Sequence, residues 1–416
     1  MKLLRLTFFT VATTACVVFA QDEERRAPPV EIPDFSNLDE YIYEPKSTVV
    51  MGFRYISGAK TSFFGQGKVP SPEILGALSG ANLQRLYHNG GVQPDGRVVA
   101  RLDAAGNAIL DPQGSAAAFD PIAPDGRTNT WNYSDVSQLS TNGYVRFDNY
   151  SAEVIDTGTR KAASPSSAGM DIAMSRDMGK IFGGRLPWTL TAGMSINDIA
   201  ANINEPVRAR ITTVSDYFSL FGQVVPDAPY SSPSSSTTSL LDASGNPLIN
   251  EDGSAGSVTI DTSVFLGNEP AGRTSSIATD TTSVNNRWKL KGAYYTFRVG
   301  PTLLIPFTTR FRATVSAGAA VVYSGSNYTV TQTFEAPLGA DITDTSTNSA
   351  NKLLPGFYAD ASLQFDLTDR SGFYAGAVMQ SAGGYTQSID TANAHYSTKI
   401  DLANQSGLRA GMSIRF

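Results

Sequence analysis

The sequence predicts an all-β protein, an antiparallel up-and-down transmembrane β-barrel of eight strands. Three observations predict it. Apolar and polar residues alternate with period two in runs that approach the roughly 9–11 residues of a tilted membrane strand. The gaps between runs fall into short turns and long excursions, as they must if every tight turn lies on one side of the membrane. Beyond Ala20, no apolar stretch approaches the roughly 20 residues that a membrane helix requires.

The chain has 416 residues. Lys2 and Arg5 precede the apolar run Leu6 to Phe19, and Val18-Phe19-Ala20 offers small residues at both positions read by signal peptidase. A signal peptide over residues 1–20 is therefore expected, with cleavage after Ala20. Cys16 is the only cysteine, so the mature chain would hold neither disulfides nor thiolate metal sites. Net charge is −6 for the whole chain and about −8 once Lys2 and Arg5 are gone. An acidic chain has no evident reason to seek nucleic acid. Residues 21–46, with Pro28, Pro29, Pro33 and Pro45, read as an extended lead segment.

The first strand sets Val49, Met51, Phe53 and Tyr55 against Thr48, Val50, Gly52 and Arg54. Met170, Ile172 and Met174 alternate with Asp171, Ala173 and Ser175 in the second. The third runs from Trp188 to Asn197 and the fourth from Trp288 to Leu303, the latter with Arg298 on its polar side. Phe311 to Tyr323 carry the fifth, whose polar side holds Arg310 and Arg312. The sixth, Phe357 to Leu367, places Asp360, Gln364 and Asp366 inward, and the seventh runs from Phe373 to Gln380. The eighth is Gly407 to Phe416. Leu408, Ala410, Met412, Ile414 and Phe416 form one face of it, and Arg409 and Arg415 lie on the other.

Strands two–three, four–five and six–seven are then joined by short turns. The long gaps 58–167, 198–285, 324–351 and 382–395 all fall on the opposite side. Asn142 to Val154 and Ile211 to Leu220 also have β character. Counting them would give ten or twelve strands but would break the parity or place long polar segments among the short turns, so they read as hairpins above the membrane.

A terminal strand that is apolar outside, charged inside and closed by Phe416 resembles the last strand of bacterial outer-membrane barrels. The set of eight resembles the small outer-membrane barrel family typified by the OmpA transmembrane domain. The resemblance covers under half of the chain and implies an outer-membrane protein whose terminal face, Leu408 to Phe416, is the assembly signal read by the barrel-assembly machinery. It also implies a periplasmic segment at 21–46, a barrel over 47–416, extracellular loops at 58–167 and 198–285, and outer-membrane lipid around the strands.

An eight-stranded barrel has an interior filled by side chains. Arg54, Asp171, Arg298, Arg310, Arg312, Asp360, Asp366, Arg409 and Arg415 would share that lumen, and ion pairs are expected because unpaired buried charge is costly. The bland reading is a polar plug; the sharper one is a narrow path or gate for small solutes. Catalysis needs a positioned base, and His88 and His395 are the only histidines. His395-Tyr396-Ser397 resembles the His-x-Ser pair of lipid A deacylases, but no Glu follows and Asp401 is the only later acid. Ser71, Pro72 and Gly90 frame a predicted short helix with His88 in its last turn. No catalytic set, metal site or cofactor site emerges, and the chain is expected not to be an enzyme.

One repeat links the two large loops. Leu102-Asp103-Ala104-Ala105-Gly106-Asn107 matches Leu241-Asp242-Ala243-Ser244-Gly245-Asn246, and each reads as a small hairpin with a turn-forming Asp. Asp111 and Asp252 lie nearby, without the spacing of a dedicated calcium loop. Ser231 to Ser239 contains only Ser, Thr and Pro and is expected to be a flexible exposed tract. The sequence favours an anchor whose loops engage an extracellular ligand or surface partner.

Overall fold

The computed structural model describes residues 46–71, 78, 83–112, 114–163, 165–244, 246–250 and 254–416. The signal peptide and most of the lead segment lie outside these residues, as do Gly245 and Asp252. Among the described residues the chain is all-β and antiparallel, with one short 3₁₀ turn at Val136–Gln138. It forms 23 strands, so the expected total of eight is too low.

Twelve strands make the frame: β1 (Ser47–Ser57), β2 (Lys60–Val69), β3 (Tyr144–Val154), β4 (Ser167–Ile181), β5 (Leu186–Ser219), β6 (Gly272–Pro306), β7 (Phe311–Phe334), β8 (Ile342–Asp366), β9 (Ser371–Ala382), β10 (Gly384–Asp390), β11 (Ala394–Asp401) and β12 (Gln405–Arg415). The alternating runs read from the sequence fall in β1, β4, β5, β6, β7, β8, β9 and β12. Their pairings run in a circuit, β1 to β4, β5, β6, β7, β8, β9, β12 and back to β1. Short turns follow Ile181, Pro306 and Asp366, and Ser47 bonds to Phe416 at the same end, with N···O distances of 3.0 and 2.9 Å.

The strands at the other end are far longer than a membrane requires, which corrects the predicted loops. β5 has 34 residues and β6 has 35, so 198–219 and 272–285 are strand. β7 and β8 likewise consume most of 324–351, and 382–395 opens the β10–β11 hairpin. In this upper storey β3 replaces β4 beside β5, pairing from Val154 with Ala209 to Tyr144 with Ser219. β2 follows β3, then β11 and β10. The two extra β stretches therefore pair with each other across the chain instead of forming separate hairpins.

The polarity of the faces inverts between storeys. On β5, Leu190, Ala192 and Met194 point outward while Ser195 and Asn197 are buried; beyond them Asp198, Asn202 and Asn204 are exposed while Ile199, Ala201, Val207 and Ala209 are buried. β6 repeats the change, from outward Val299, Phe297 and Tyr295 to outward Lys291 and Arg287, with Leu290 and Trp288 buried beneath. The lower storey thus shows water-repelling side chains to the outside, and the upper storey hides them, as a water-exposed β-protein does. The upper core includes Phe63, Val69, Tyr150, Trp288, Tyr328, Phe334 and Tyr396, with Phe63 and Tyr328 stacked at 5.7 Å.

The predicted helix does not form where it is described. Arg85–Tyr87 and Gly90–Val92 are strands joined by a turn at His88 and Asn89, because Arg85 and Tyr87 are buried while Leu86 is exposed, a period of two. Residues 72–77 and 79–82 lie outside the described set. The Ser/Thr tract is also partly strand: Ser235–Ser239 pairs with Ser257–Asp261, and Thr237 and Thr259 hydroxyls meet at 3.1 Å. Both copies of the repeat carry the same pair of bridges. Leu102 bridges Ala108 and Leu110 bridges Ala116, while Leu241 bridges Pro247 and Ile249 bridges Ala255. The Oδ1 of Asp103 accepts the Ala105 and Asn107 N–H groups at 2.8 and 2.9 Å, and Asp242 holds Ser244 and Asn246 in the same way.

Candidate functional site

The lower storey brings its inward charges into two groups. In the deeper one, Asp171 Oδ2 accepts from Arg298 Nη2 at 2.9 Å and from Arg409 Nη1 at 3.4 Å. Arg409 Nη2 reaches Asp360 at 2.5 Å. Arg54, only 1% exposed, has neutral partners: its guanidinium donates to Ser195 at 2.6 Å and to Gln380 at 2.5 Å. Gln380 continues to Thr296 and Gln405, and Gln405 to the Tyr294 hydroxyl. Arg298 and Arg409 also lie over Tyr358 and Tyr374, at 5.6 and 5.4 Å.

The register explains how such large side chains fit. Asp171 lies opposite Gly52 and Arg298 opposite Gly193. A Cβ on Gly193 would sit 2.8 Å from the Ala173 Cβ and 3.2 Å from Arg298 Nε. Glycine there leaves the width that the guanidinium occupies.

Nearer the short turns, Asp366 accepts from Arg312 at 2.8 and 2.7 Å and from Arg415 at 2.5 Å, and Gln364 bonds Ser413 at 2.7 Å. Arg310 is a correction. It lies in the exposed turn before β7, where its carbonyl accepts the Asp366 N–H, because the chain begins to alternate only at Phe311. At the junction with the upper storey, the Tyr385 hydroxyl meets Ser324 and Ser326 at 3.0 and 2.8 Å.

Charge in the deeper group does not balance. Three guanidiniums face two carboxylates, and Arg54 Nε, Arg298 Nε and Nη1, and Arg409 Nε are buried without a partner. Among the carboxylate oxygens of that group, Asp171 Oδ1 is also unpartnered.

A second polar cluster, missed from the sequence, lies in the upper storey where β3 and β5 meet. Asp216, fully buried, accepts from Arg273 Nε and Nη2 at 2.6 and 2.8 Å and from the Tyr87 hydroxyl at 2.6 Å. Burial and that carboxylate push the Tyr87 phenol well above its usual range. Asp148 is bonded by Ser215 at 2.6 Å, Arg146 at 3.2 Å and Asn89 at 3.2 Å. Alternation signals such inward carboxylates only when the facing strand is known, and β3 finds its partner some sixty residues on.

His88 borders this cluster. Its Nδ1 accepts the Tyr150 N–H at 3.1 Å, and Nε2 is buried with no partner. Burial holds its pKa below the ordinary imidazole value. A depressed folded value means that the fold favours the neutral ring, so the stability it contributes is present above the unfolded value of about 6.5 and is lost as pH falls below it. Protonated Nδ1 would also oppose the Tyr150 N–H. His88→Gln is expected to remove this acid-sensitive step, read by protease resistance of the upper storey across that pH window. An unchanged pH profile would sink the assignment.

His395 pairs with an acid that its local sequence did not point to. Its Nδ1 bonds Asp390 Oδ1 across the β10–β11 turn, with the imidazole 77% exposed. The carboxylate precedes the histidine in the chain, whereas the lipid A deacylase pattern places its acid after the His-x-Ser pair.

No known family and no curated protein matches the chain. Solved structures of outer-membrane β-barrel proteins do. The outer membrane protease OmpT of Escherichia coli aligns over 89% of this chain and 97% of its own, with a TM-score of 0.27 and 7% identity. A FadL homologue of Pseudomonas aeruginosa aligns over 89% and 90%, with a TM-score of 0.18 and 6% identity. Membership of the family typified by OmpA is not confirmed, since no family model matches. Because the first is a protease, the expectation that the chain is not an enzyme is overturned. At that TM-score the likeness transfers no catalytic residue to this chain.

Proposed function

We propose that the chain is an outer-membrane anchor. The circuit of eight lower strands spans the membrane as a closed barrel, and the upper storey and its ribbons present a binding surface outside the cell. The observation that carries this reading is the inversion of face polarity, at Met194 to Asp198 on β5 and at Tyr295 to Lys291 on β6. An apolar belt followed by a conventional buried core matches lipid below and water above. The filled lumen supports closure: Arg54, Asp171, Arg298 and Asp360 are all buried there.

A narrow path for small anions is the second reading, favoured by the excess guanidinium charge and its unpartnered nitrogens. Planar-bilayer recording separates the two. The anchor is expected to give no steady single-channel openings; steady, anion-selective openings would overturn it in favour of the path.

A further inference from the structure

We propose that Arg287, Lys289 and Lys291 form a docking site for the phosphate groups of a lipid headgroup. The proposal rests on the membrane-spanning reading above. The three residues occupy alternate positions on β6, so they share its outward face at a spacing of about 7 Å. They follow directly on the apolar belt, with Ala293, Tyr295, Phe297 and Val299 next along the same face. That is the height at which the headgroups of a surrounding leaflet lie.

Nothing across the strands neutralises them. On one side their register partners are Thr331, Thr329 and Asn327, and on the other Asn204, Asn202 and Ala200. Among the described residues, no carboxylate lies within ion-pair distance of the three. Arg287 donates weakly to Asn202 at 3.4 Å. Of the nearby acids, Glu205 is held by Arg160 at 3.2 Å, and Asp198 lies opposite Ala293, one rung toward the belt.

The surface is also shaped. Shallow depressions of about 290 and 460 Å³ flank the ladder on its β7 and β5 sides, and all three cations line both. The hydroxyls of Thr329 and Thr331 line the first; Thr329 shares a bond with Thr347 at 3.1 Å, while Thr331 accepts from Thr345 at 3.2 Å and so keeps its own proton for a phosphate oxygen. Three unpaired cations on a chain of net charge −6 mark a local reversal of sign. A lipid carrying two phosphates, with its acyl chains along Tyr295, Phe297 and Val299, satisfies charge and belt together, whereas a free phosphate uses only the first.

The test uses the full folded chain in detergent, with binding read by native mass spectrometry. The probes are bisphosphorylated lipid A and the same lipid stripped of phosphate, with inorganic phosphate as competitor. The phosphorylated lipid is expected to bind and the stripped lipid to bind far less. The triple variant Arg287→Gln, Lys289→Gln, Lys291→Gln should lose on the order of 10- to 100-fold in affinity. Lys60→Gln with Lys399→Gln, exposed elsewhere on the upper storey, should lose little. Equal binding of both lipids, an unaffected triple variant, equal loss in the control pair, or full displacement by inorganic phosphate would each overturn the proposal.

Quenching of Trp188 by brominated lipid in reconstituted vesicles reports insertion separately, since Trp131 and Trp288 are buried in the upper storey. Quenching without phosphate-dependent binding defeats only this proposal. Loss of quenching defeats the membrane reading itself.

Discussion

Replacing Asp171 by Leu is expected to destabilise the folded barrel by about 3–5 kcal/mol, the usual consequence of leaving buried partners of an ion pair uncompensated. Asp171 is the shared acceptor of Arg298 and Arg409, and both it and Arg298 are buried. Without it, Arg298 keeps only its contact over Tyr358, and Arg409 keeps Asp360. Asp366→Leu should have a smaller effect, because Arg312 and Arg415 are about one-fifth exposed and water can reach them. Urea unfolding of the protein in lipid vesicles, followed by tryptophan fluorescence, measures both. The double variant Asp171→Leu with Arg298→Met should recover most of the loss, since removing a buried pair together is often close to neutral. Equal, small effects at Asp171 and Asp366 would mean that the lumen is wet and that its ion pairs do not hold the barrel shut.

The lower storey was legible because an apolar outer face and a polar inner face impose strict alternation, and Phe297 beside Arg298 is enough to orient a strand. Each run read from the sequence lies in a strand of the circuit. The upper storey was misread for a related reason. At Asp198 on β5 and at Lys291 on β6 the alternation continues but its sense reverses, so a reader tracking apolar residues on the outward side sees each strand end there. Polar residues at 202, 204, 327 and 329 then look like loop, although they are the solvent face of the same strands. Local spacing also misled at His88, where helix-framing residues surround a stretch whose burial follows period two. Parity alone puts Arg54, Asp171, Arg298 and Arg409 on the inner faces of their strands, but which Arg faces Asp171 depends on strand register, which the sequence does not carry. Arg310 shows the limit of parity at a turn, where one residue separates the lumen from solvent.

The reversal of sense implies that the two storeys are held by different forces, and Trp288→Ala tests this. Trp288 is 1% exposed in the upper core, lies under the Arg160 guanidinium at 5.0 Å, and faces Ile203 and Val330 across the sheet. Truncating it should weaken the upper storey by about 3–5 kcal/mol, through lost burial and the cavity left behind. The lower storey shares only β5 to β8 with the upper and depends on β1, β4, β9 and β12 for its remaining pairings. Trypsin is therefore expected to cut the variant at Lys60, Lys161 and Lys399, in or beside β2 and β11, while a core containing the belt stays intact and still quenched at Trp188 by brominated lipid. Coincident loss of both storeys at one denaturant concentration would show instead that β5 to β8 transmit the damage along their length. The molecule would then be a single cooperative unit, and a ligand bound to the upper storey would stabilise the barrel below it.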